Sequence, residues 1–444
     1  METLSDSARE SSEELRWMRL DNMAKIYPAA KRKDWSNVFR LSAWLTETVD
    51  GATLQTALNA ILPRFPSIAV RLRRGMFWYY LEELPEPPEV KADGSDPLTH
   101  IEFSDIRKCA FRVVYCRNRI SVEFFHALTD GNGGIIFLKT LLAEYIEQKY
   151  GVPVPCEHGV LDRREAPKPE ELEDSFPKYT NDVSRSRWEE DAFHMSGTTE
   201  LDNFHHLIVG TLDVKEALAL ARSYGVTLTV LLASVMISSI VSIQNEQIPR
   251  RSRQKPVKVL IPVNLRKLFG SSSLRNFVLN ISPGIDPRLG DYSFEEILQI
   301  VHHQMAMEIT SKQMSSRIEA NVRFEQPLIV KLMPLFIKNT AMKMVYDQIA
   351  ERKTCITLSN LGEVKVPDVM RQYVEKFHFI LSVQATTPNN CGVASYNGKL
   401  YISFIRKIRE STLERNFFTT LHKLGLHVCV ESNQRSRNGP WYTV

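Results

Sequence analysis

His126 stands four residues ahead of Asp130, and Gly131, Gly133 and Gly134 follow. A lone imidazole, with an ordinary pKa of ~6.5, can take a proton from a hydroxyl or an amine near neutral pH. Its setting suits that work. The apolar run Ile120-Ser121-Val122-Glu123-Phe124 reads as a buried strand, and residues 135–142 read as a helix. The imidazole therefore sits where a rigid strand gives way to a loop facing a cleft. The glycines remove side chains beside it, which lets a ligand approach closely, and they equally suit a tight turn before a helix. Asp130 could orient the imidazole as in a triad, or pair with an arginine and hold the loop in shape. The spacing leaves both open. No GxSxG elbow occurs, so acyl transfer through a covalent serine is disfavoured.

The elements around this segment are mixed. Residues 53–62 read as an amphipathic helix ended by Pro63, and 67–72 with 75–81 as a strand pair. Residues 111–116 and 120–125, separated by Arg117-Asn118-Arg119, read as a hairpin. The stretch 153–200 is rich in proline and charge and reads as an interdomain linker. Beyond it, 206–212, 257–263 and 354–358 read as strands, and 215–223, 227–243, 294–311, 327–349 and 413–424 as helices. Residues 379–383, 392–396 and 399–404 read as a meander, with Asn397-Gly398 as a two-residue turn. Strands and helices do not alternate regularly, which argues against a doubly wound parallel sheet and for mixed sheets packed with helices.

The chain has 444 residues, 43% of them hydrophobic, enough for two cores. The net charge of +4 comes from 56 basic and 52 acidic residues and does not point to nucleic acid. The first residues are polar and acidic, without the apolar core of a signal peptide. The apolar run 228–243 is shorter than the ~20 residues of a membrane span and is broken by serines, so a buried helix is expected there. Six cysteines form no CxxC pair and no zinc-type spacing. Reduced thiols and a cytoplasmic location are the expectation. His205-His206 and His302-His303 lack catalytic or metal-binding context and read as structural or surface residues. The basic, amphipathic segment with Lys331, Lys338 and Lys343 suits a membrane surface or a ligand phosphate, although a solvated helix face is the commoner case.

His126-Ala127-Leu128-Thr129-Asp130-Gly131 resembles the HxxxDG motif of the CoA-dependent acyltransferase superfamily, which includes chloramphenicol acetyltransferase, condensation domains and alcohol acetyltransferases. Four other segments resemble that superfamily in the same order: LQTALNAILPRFPSIAVRL at 54–72, GVTLTVLLASVMISSI at 225–240, IPVNLRKLF at 261–269 with Arg275-Asn276-Phe277, and LSNLGEVKVP at 358–367. The resemblance covers residues 15–430 and is closest to the alcohol acetyltransferases. It departs from amide-forming condensation domains, which carry a second histidine where Phe125 stands. It departs from the plant enzymes, whose DFGWG motif is replaced by Ser359-Asn360-Leu361-Gly362.

The resemblance implies an α+β fold of two chloramphenicol acetyltransferase-like domains with a tunnel between them. The expected boundaries are 1–175 for the domain carrying the motif, 176–200 for a linker and 201–444 for the second domain. It implies His126 as general base. It implies Asp130 as a structural aspartate paired with an arginine, for which Arg266 is the candidate, and Gly131 as the residue keeping the substrate channel open. Ser359 and Asn360 could stabilise an oxyanion or form a turn. The implied function is transfer of an acyl group, foremost acetyl, from acyl-CoA as co-substrate to an alcohol or amine, with neither cofactor nor metal. A carrier-protein thioester donor and a non-catalytic binding protein are the alternatives. No nucleic acid, no transmembrane segment and a monomeric chain are expected.

Overall fold

The strand ahead of His126 is buried along nearly its whole length and lies in the middle of a sheet. It runs Arg119–Phe125 and is the third of five strands in the order Val374–Ile380, Val38–Leu45, Arg119–Phe125, Phe111–Cys116, Lys91–Ala92. All neighbours are antiparallel except the last pair. The structure is a computed structural model that describes residues 15–29, 37–94, 98, 102–180, 189–200, 204–349, 351–383 and 387–433. A second sheet has eight strands. Its path is Val278–Ile281, Val257–Asn264, Ile356–Glu363, Asn389–Tyr396, Lys399–Arg406, His206–Asp213, Cys429–Ser432, with Gly284–Ile285 added on Val257–Asn264. Parallel pairing occurs on both sides of Ile356–Glu363. A small antiparallel sheet joins Trp17–Arg19, Tyr79–Glu83 and Val70–Arg74.

Each large sheet carries its own core. Helices Gly51–Ile61 and Gly131–Tyr150 pack on the first, contributing Leu54, Leu58, Phe137 and Leu141. Helix Leu228–Gln247 fills the second. It is 20 residues long and apolar enough to cross a membrane, but most of its surface is buried against protein. The two buried serines in its apolar run bond back along the helix, Ser234 Oγ to Val230 O at 2.9 Å and Ser239 Oγ to Val235 O at 2.8 Å. Satisfied in this way, they sit in the core at little cost, and the helix needs no polar face.

Several elements differ from the expectation. Residues 379–383 do not begin a meander. Strand Val374–Ile380 leaves the second half of the chain and pairs with Val38–Leu45 in the first sheet. Only Asn389–Tyr396 and Lys399–Arg406 form a hairpin, and Asn397 and Gly398 both have positive φ, as a type I′ turn requires. The earlier hairpin turns through Arg117 and Asn118 alone, since Arg119 already pairs with Cys116. The helical pattern at 327–349 breaks at Pro334 into Leu328–Leu332 and Leu335–Ile349. Helix Phe294–Glu308 ends early and is followed by Ser311–Phe324.

The segment expected as a linker at 176–200 is anchored rather than free. Phe176, Ala192, Phe193 and Met195 are buried in the second core; residues 181–188 lie outside the described residues. Just before it, Glu171 receives both terminal nitrogens of Arg64, at 2.6 and 2.9 Å, and its carbonyl accepts from Leu274 N at 2.8 Å. Proline and charge marked the surface of this stretch, and the few apolar residues between them fix its path.

The crossover strand meets the second sheet at Gly392. A Cβ built there would lie 2.2 Å from the carbonyl oxygen of Phe379. Gly392→Ala must therefore push the two sheets apart, at a cost of about 1–3 kcal/mol. Urea unfolding measures this, and a midpoint unchanged from wild type would show that the seam yields freely.

Candidate active site

His126 leaves the end of strand Arg119–Phe125 with its main-chain N–H bonded to Asn37 O at 2.9 Å. Its ring is gripped by aromatics. Tyr27 stacks on it, centroids 4.6 Å apart at 24°, and Phe39 meets it edge-on at 5.2 Å. Nδ1 lies 3.1 Å from Asn276 Oδ1. The amide of Asn276 is oriented in turn, because its Nδ2 donates to Asp21 Oδ2 at 3.2 Å and its main-chain N–H to the same oxygen at 3.3 Å. With Asn276 Nδ2 committed to a carboxylate, Oδ1 faces the imidazole and accepts from Nδ1–H. That fixes the tautomer with Nε2 unprotonated, and Nε2 has no partner among the described residues.

Burial holds the His126 imidazole below the ordinary histidine value, with the Asp130 charge and the Asn276 bond partly opposing it. Asp21 is fully buried, which raises its carboxyl to about 6 against the pull of Arg275. It accepts three main-chain or amide N–H groups, counting Ala24 N at 2.7 Å. These bonds suit an ionised carboxylate at neutral pH.

Asp130 does not touch the imidazole. One carboxylate oxygen caps helix Gly131–Tyr150, accepting from Asn132 N at 3.0 Å and Gly133 N at 3.2 Å. The other accepts from Arg266 Nη1 at 2.8 Å and Phe277 N at 3.0 Å. The pair is therefore single-pronged rather than bidentate, because the second oxygen is taken by the helix. Arg266 also donates from Nε to Ser273 O at 2.7 Å, from Nη2 to Arg275 O and from Nη1 to Asn264 Oδ1 at 3.3 Å. Both side chains are buried.

The glycines act by proximity. A Cβ on Gly131 would lie 2.6 Å from Leu361 Cδ2, so this glycine admits a leucine from the second sheet rather than empty space. A Cβ on Gly133 would lie 2.1 Å from both Leu274 O and Thr129 Oγ1. Those two atoms bond each other at 2.6 Å, so the first turn of the helix is clamped to the 273–277 segment.

Ser359 and Asn360 lie in strand Ile356–Glu363. Asn360 Nδ2 donates to Thr229 Oγ1 at 3.1 Å, and Oδ1 accepts from Gly362 N at 2.9 Å, where Gly362 has φ +78°. The asparagine thus shapes the bulge at the end of the parallel pairing. Among the described residues no group of three or more His, Cys, Asp or Glu is placed to hold a metal ion.

No protein-family model matches the chain, and no curated protein sequence does. Solved structures do. TRI101 of F. graminearum, complexed with coenzyme A and T-2 mycotoxin, aligns over 93% of this chain and 99% of its own, with 12% identity and a TM-score of 0.63. Polyketide synthase associated protein 5 from Mycobacterium tuberculosis aligns over 91% and 96%, with 15% identity and a TM-score of 0.58. The epimerization domain from the third module of tyrocidine synthetase B aligns over 94% and 98%, with 12% identity and a TM-score of 0.57. At 12–15% identity the likeness is one of fold: the chain shares the fold of these three proteins. Within that fold, the sequence reading missed Asn276 as a partner of His126, and Asp21 and Tyr27 altogether. Asn276 lay in a segment already singled out; Asp21 and Tyr27 belong to no motif.

Removing one partner of a buried pair strands the other, at about 3–5 kcal/mol. Asp130→Asn and Arg266→Met should each lower stability by that order, and the double variant should lose clearly less than the sum. Denaturant unfolding of the four proteins measures this; additive losses would rule out the coupling.

Proposed function

We propose that the chain transfers an acyl group, foremost acetyl, from acyl-CoA to a small alcohol or amine, with His126 as general base. The observation carrying this reading is the imidazole itself: neutral by burial, tautomer fixed at Nδ1 by Asn276, and Nε2 left without a protein partner. In the reaction the acceptor O–H or N–H gives its proton to Nε2. The acceptor atom attacks the thioester carbonyl, and the resulting oxyanion collapses with cleavage of the C–S bond. The imidazolium returns the proton to the leaving CoA sulfur. No covalent acyl-enzyme is needed. Asp130, Arg266 and Gly131 act by holding the loop. The Ser359 hydroxyl is the proposed oxyanion donor, since both ends of the Asn360 amide are already engaged. The coenzyme A complex of TRI101 supports CoA as donor, and the enzyme is proposed to work as a cytoplasmic monomer.

A carrier-protein thioester is the second reading, favoured by the likeness to the tyrocidine synthetase domain. Phe125, buried where amide-forming condensation domains carry a second histidine, weighs against that branch.

Incubation with acetyl-CoA and a panel of alcohols and amines should release thiol in an acceptor-dependent way. His126→Ala should cut the rate by about 10²–10⁴. Acceptor-independent release, or equal rates in wild type and variant, would overturn the assignment; turnover only with an acylated carrier protein would favour the second reading.

The pH profile tests the histidine's surroundings. A base whose pKa is lowered by burial stays neutral further into acid, so the acid limb of kcat/KM should fall below pH ~6.5. Asn276→Asp places a carboxylate beside Nδ1, favours imidazolium and should move that limb to higher pH. Asn276→Ala should cost about ten- to a hundredfold in kcat/KM, the worth of about 1–3 kcal/mol of hydrogen bonding. An acid limb identical in wild type and Asn276→Asp would show that the amide does not govern the base.

A further inference from the structure

Most of the large apolar side chains that stand exposed among the described residues are gathered in one region. Phe324, Leu328, Ile329, Leu332, Phe336 and Ile337 belong to it, with Ile329 77% and Leu328 69% exposed. Helices Leu328–Leu332 and Leu335–Ile349 present all but Phe324, which ends helix Ser311–Phe324. Helix Leu335–Ile349 is attached in an inverted sense, with polar groups pointing into the protein. Lys338 is buried, donates to Phe77 O at 2.9 Å and lies 3.4 Å from the centre of the Trp78 ring. Asn339 Nδ2 donates to Tyr79 OH at 3.1 Å, and Leu335 N to Met76 O at 3.0 Å. Phe336 and Ile337 are left outside. A helix held by its lysine and asparagine gains no fold stability from the phenylalanine it exposes. Clustered apolar exposure of this kind marks an interaction surface.

The charges around the patch say what covers it. Residues 326–344 contain three lysines and no acid. Two neighbouring acids are neutralised, Glu82 by Arg71 and Arg73 and Glu325 by Lys25, and Glu83 accepts the main-chain N–H of Arg16 at 3.4 Å. Arg16, Arg19, Arg74 and Lys331 have no ion-pair partner among the described residues, and all four are exposed. Trp17 and Met76, 64% and 75% exposed, extend the apolar area on the small sheet beside them. Short apolar helices with lysine at the margin and a tryptophan at the rim match the interfacial zone of an anionic bilayer.

We propose that this face docks the protein peripherally on an anionic phospholipid surface, with Leu328, Ile329, Phe336 and Trp17 entering the headgroup boundary and Lys331 and Arg74 meeting the phosphates. A cavity of about 700 Å³, lined by Trp17, Lys25, Trp78, Tyr80, Glu325 and Lys331 among others, opens in the same face. Docking does not depend on the catalytic reading.

Flotation with phosphatidylcholine vesicles, with and without phosphatidylserine, tests it. The wild-type chain should float with the mixed vesicles, less with phosphatidylcholine alone, and less again as salt rises. The triple variant Leu328→Ser, Ile329→Ser, Phe336→Ser should reduce the bound fraction at least tenfold with its thermal unfolding unchanged, and Lys331→Glu with Arg74→Glu should remove the preference for phosphatidylserine. If the triple variant fails to fold, brominated lipid provides the second measurement: it should quench tryptophan emission in the unmutated chain, and less in Trp17→Phe. Wild-type protein that stays with the soluble fraction, or a folded triple variant that floats equally well, overturns the proposal. So does a wild-type dimer in vesicle-free buffer that the triple variant converts to monomer, which would assign the patch to a second copy.

Discussion

One carboxylate holds the candidate site together. Asp130 uses one oxygen to cap the helix that follows the histidine loop and the other to receive Arg266 and the main-chain N–H of Phe277. Both halves of the chain meet at this group. Such charge-assisted bonds are about twice as strong as neutral ones, and in a buried setting each unmade bond leaves an orphaned donor. Phe277 follows Asn276, so the same contact that closes the loop also sets the amide against His126. The clamp between Thr129 and Leu274, possible only because position 133 has no side chain, fixes the approach of the two segments.

The imidazole depends on this frame for its orientation and on its neighbours for its charge. Tyr27 and Phe39 take water from around the ring, which favours the neutral form. Asn276 offers an acceptor without a full charge, so it selects the tautomer without drawing a proton onto the ring. Asp21 stands one residue further back, where its charge steadies the amide and is partly balanced by Arg275. A carboxylate in direct contact would have made His126 a stronger base that is more often protonated. The relay through an amide gives a weaker base that stays available.

The loop that carries His126 was legible because it is local. A strand, HxxxDG and an apolar helix occupy neighbouring positions, and the Asn397-Gly398 turn declared its hairpin for the same reason. Arg266 as partner of Asp130 came from the resemblance of 261–269 to an arginine-bearing segment of the CoA-dependent acyltransferase superfamily, and the contact is present. What could not be read were choices between distant partners. Strand Val374–Ile380 has the same apolar pattern whichever sheet it joins, and only the fit of Gly392 under Phe379 and the pairing with Val38–Leu45 decide it. Asp21 and Tyr27 sit in a short segment with no periodicity of its own. Their roles arise from distant contacts, Asp21 with Asn276 across 255 residues and Tyr27 with the His126 ring, which no local rule encodes. The helix at Leu335–Ile349 misled in a different way, because its polar residues point inward.

The crossing of Val374–Ile380 into the first sheet also sets a timetable for synthesis. The partner edge, Val38–Leu45, leaves the ribosome early, and the strand that covers it is made about 330 residues later. At roughly 5–20 residues per second, the edge waits about 16–65 seconds with its N–H and C=O groups unpaired. A nascent chain in that state is open to wrong pairing or to chaperone capture, and the two halves cannot mature one after the other as independent beads.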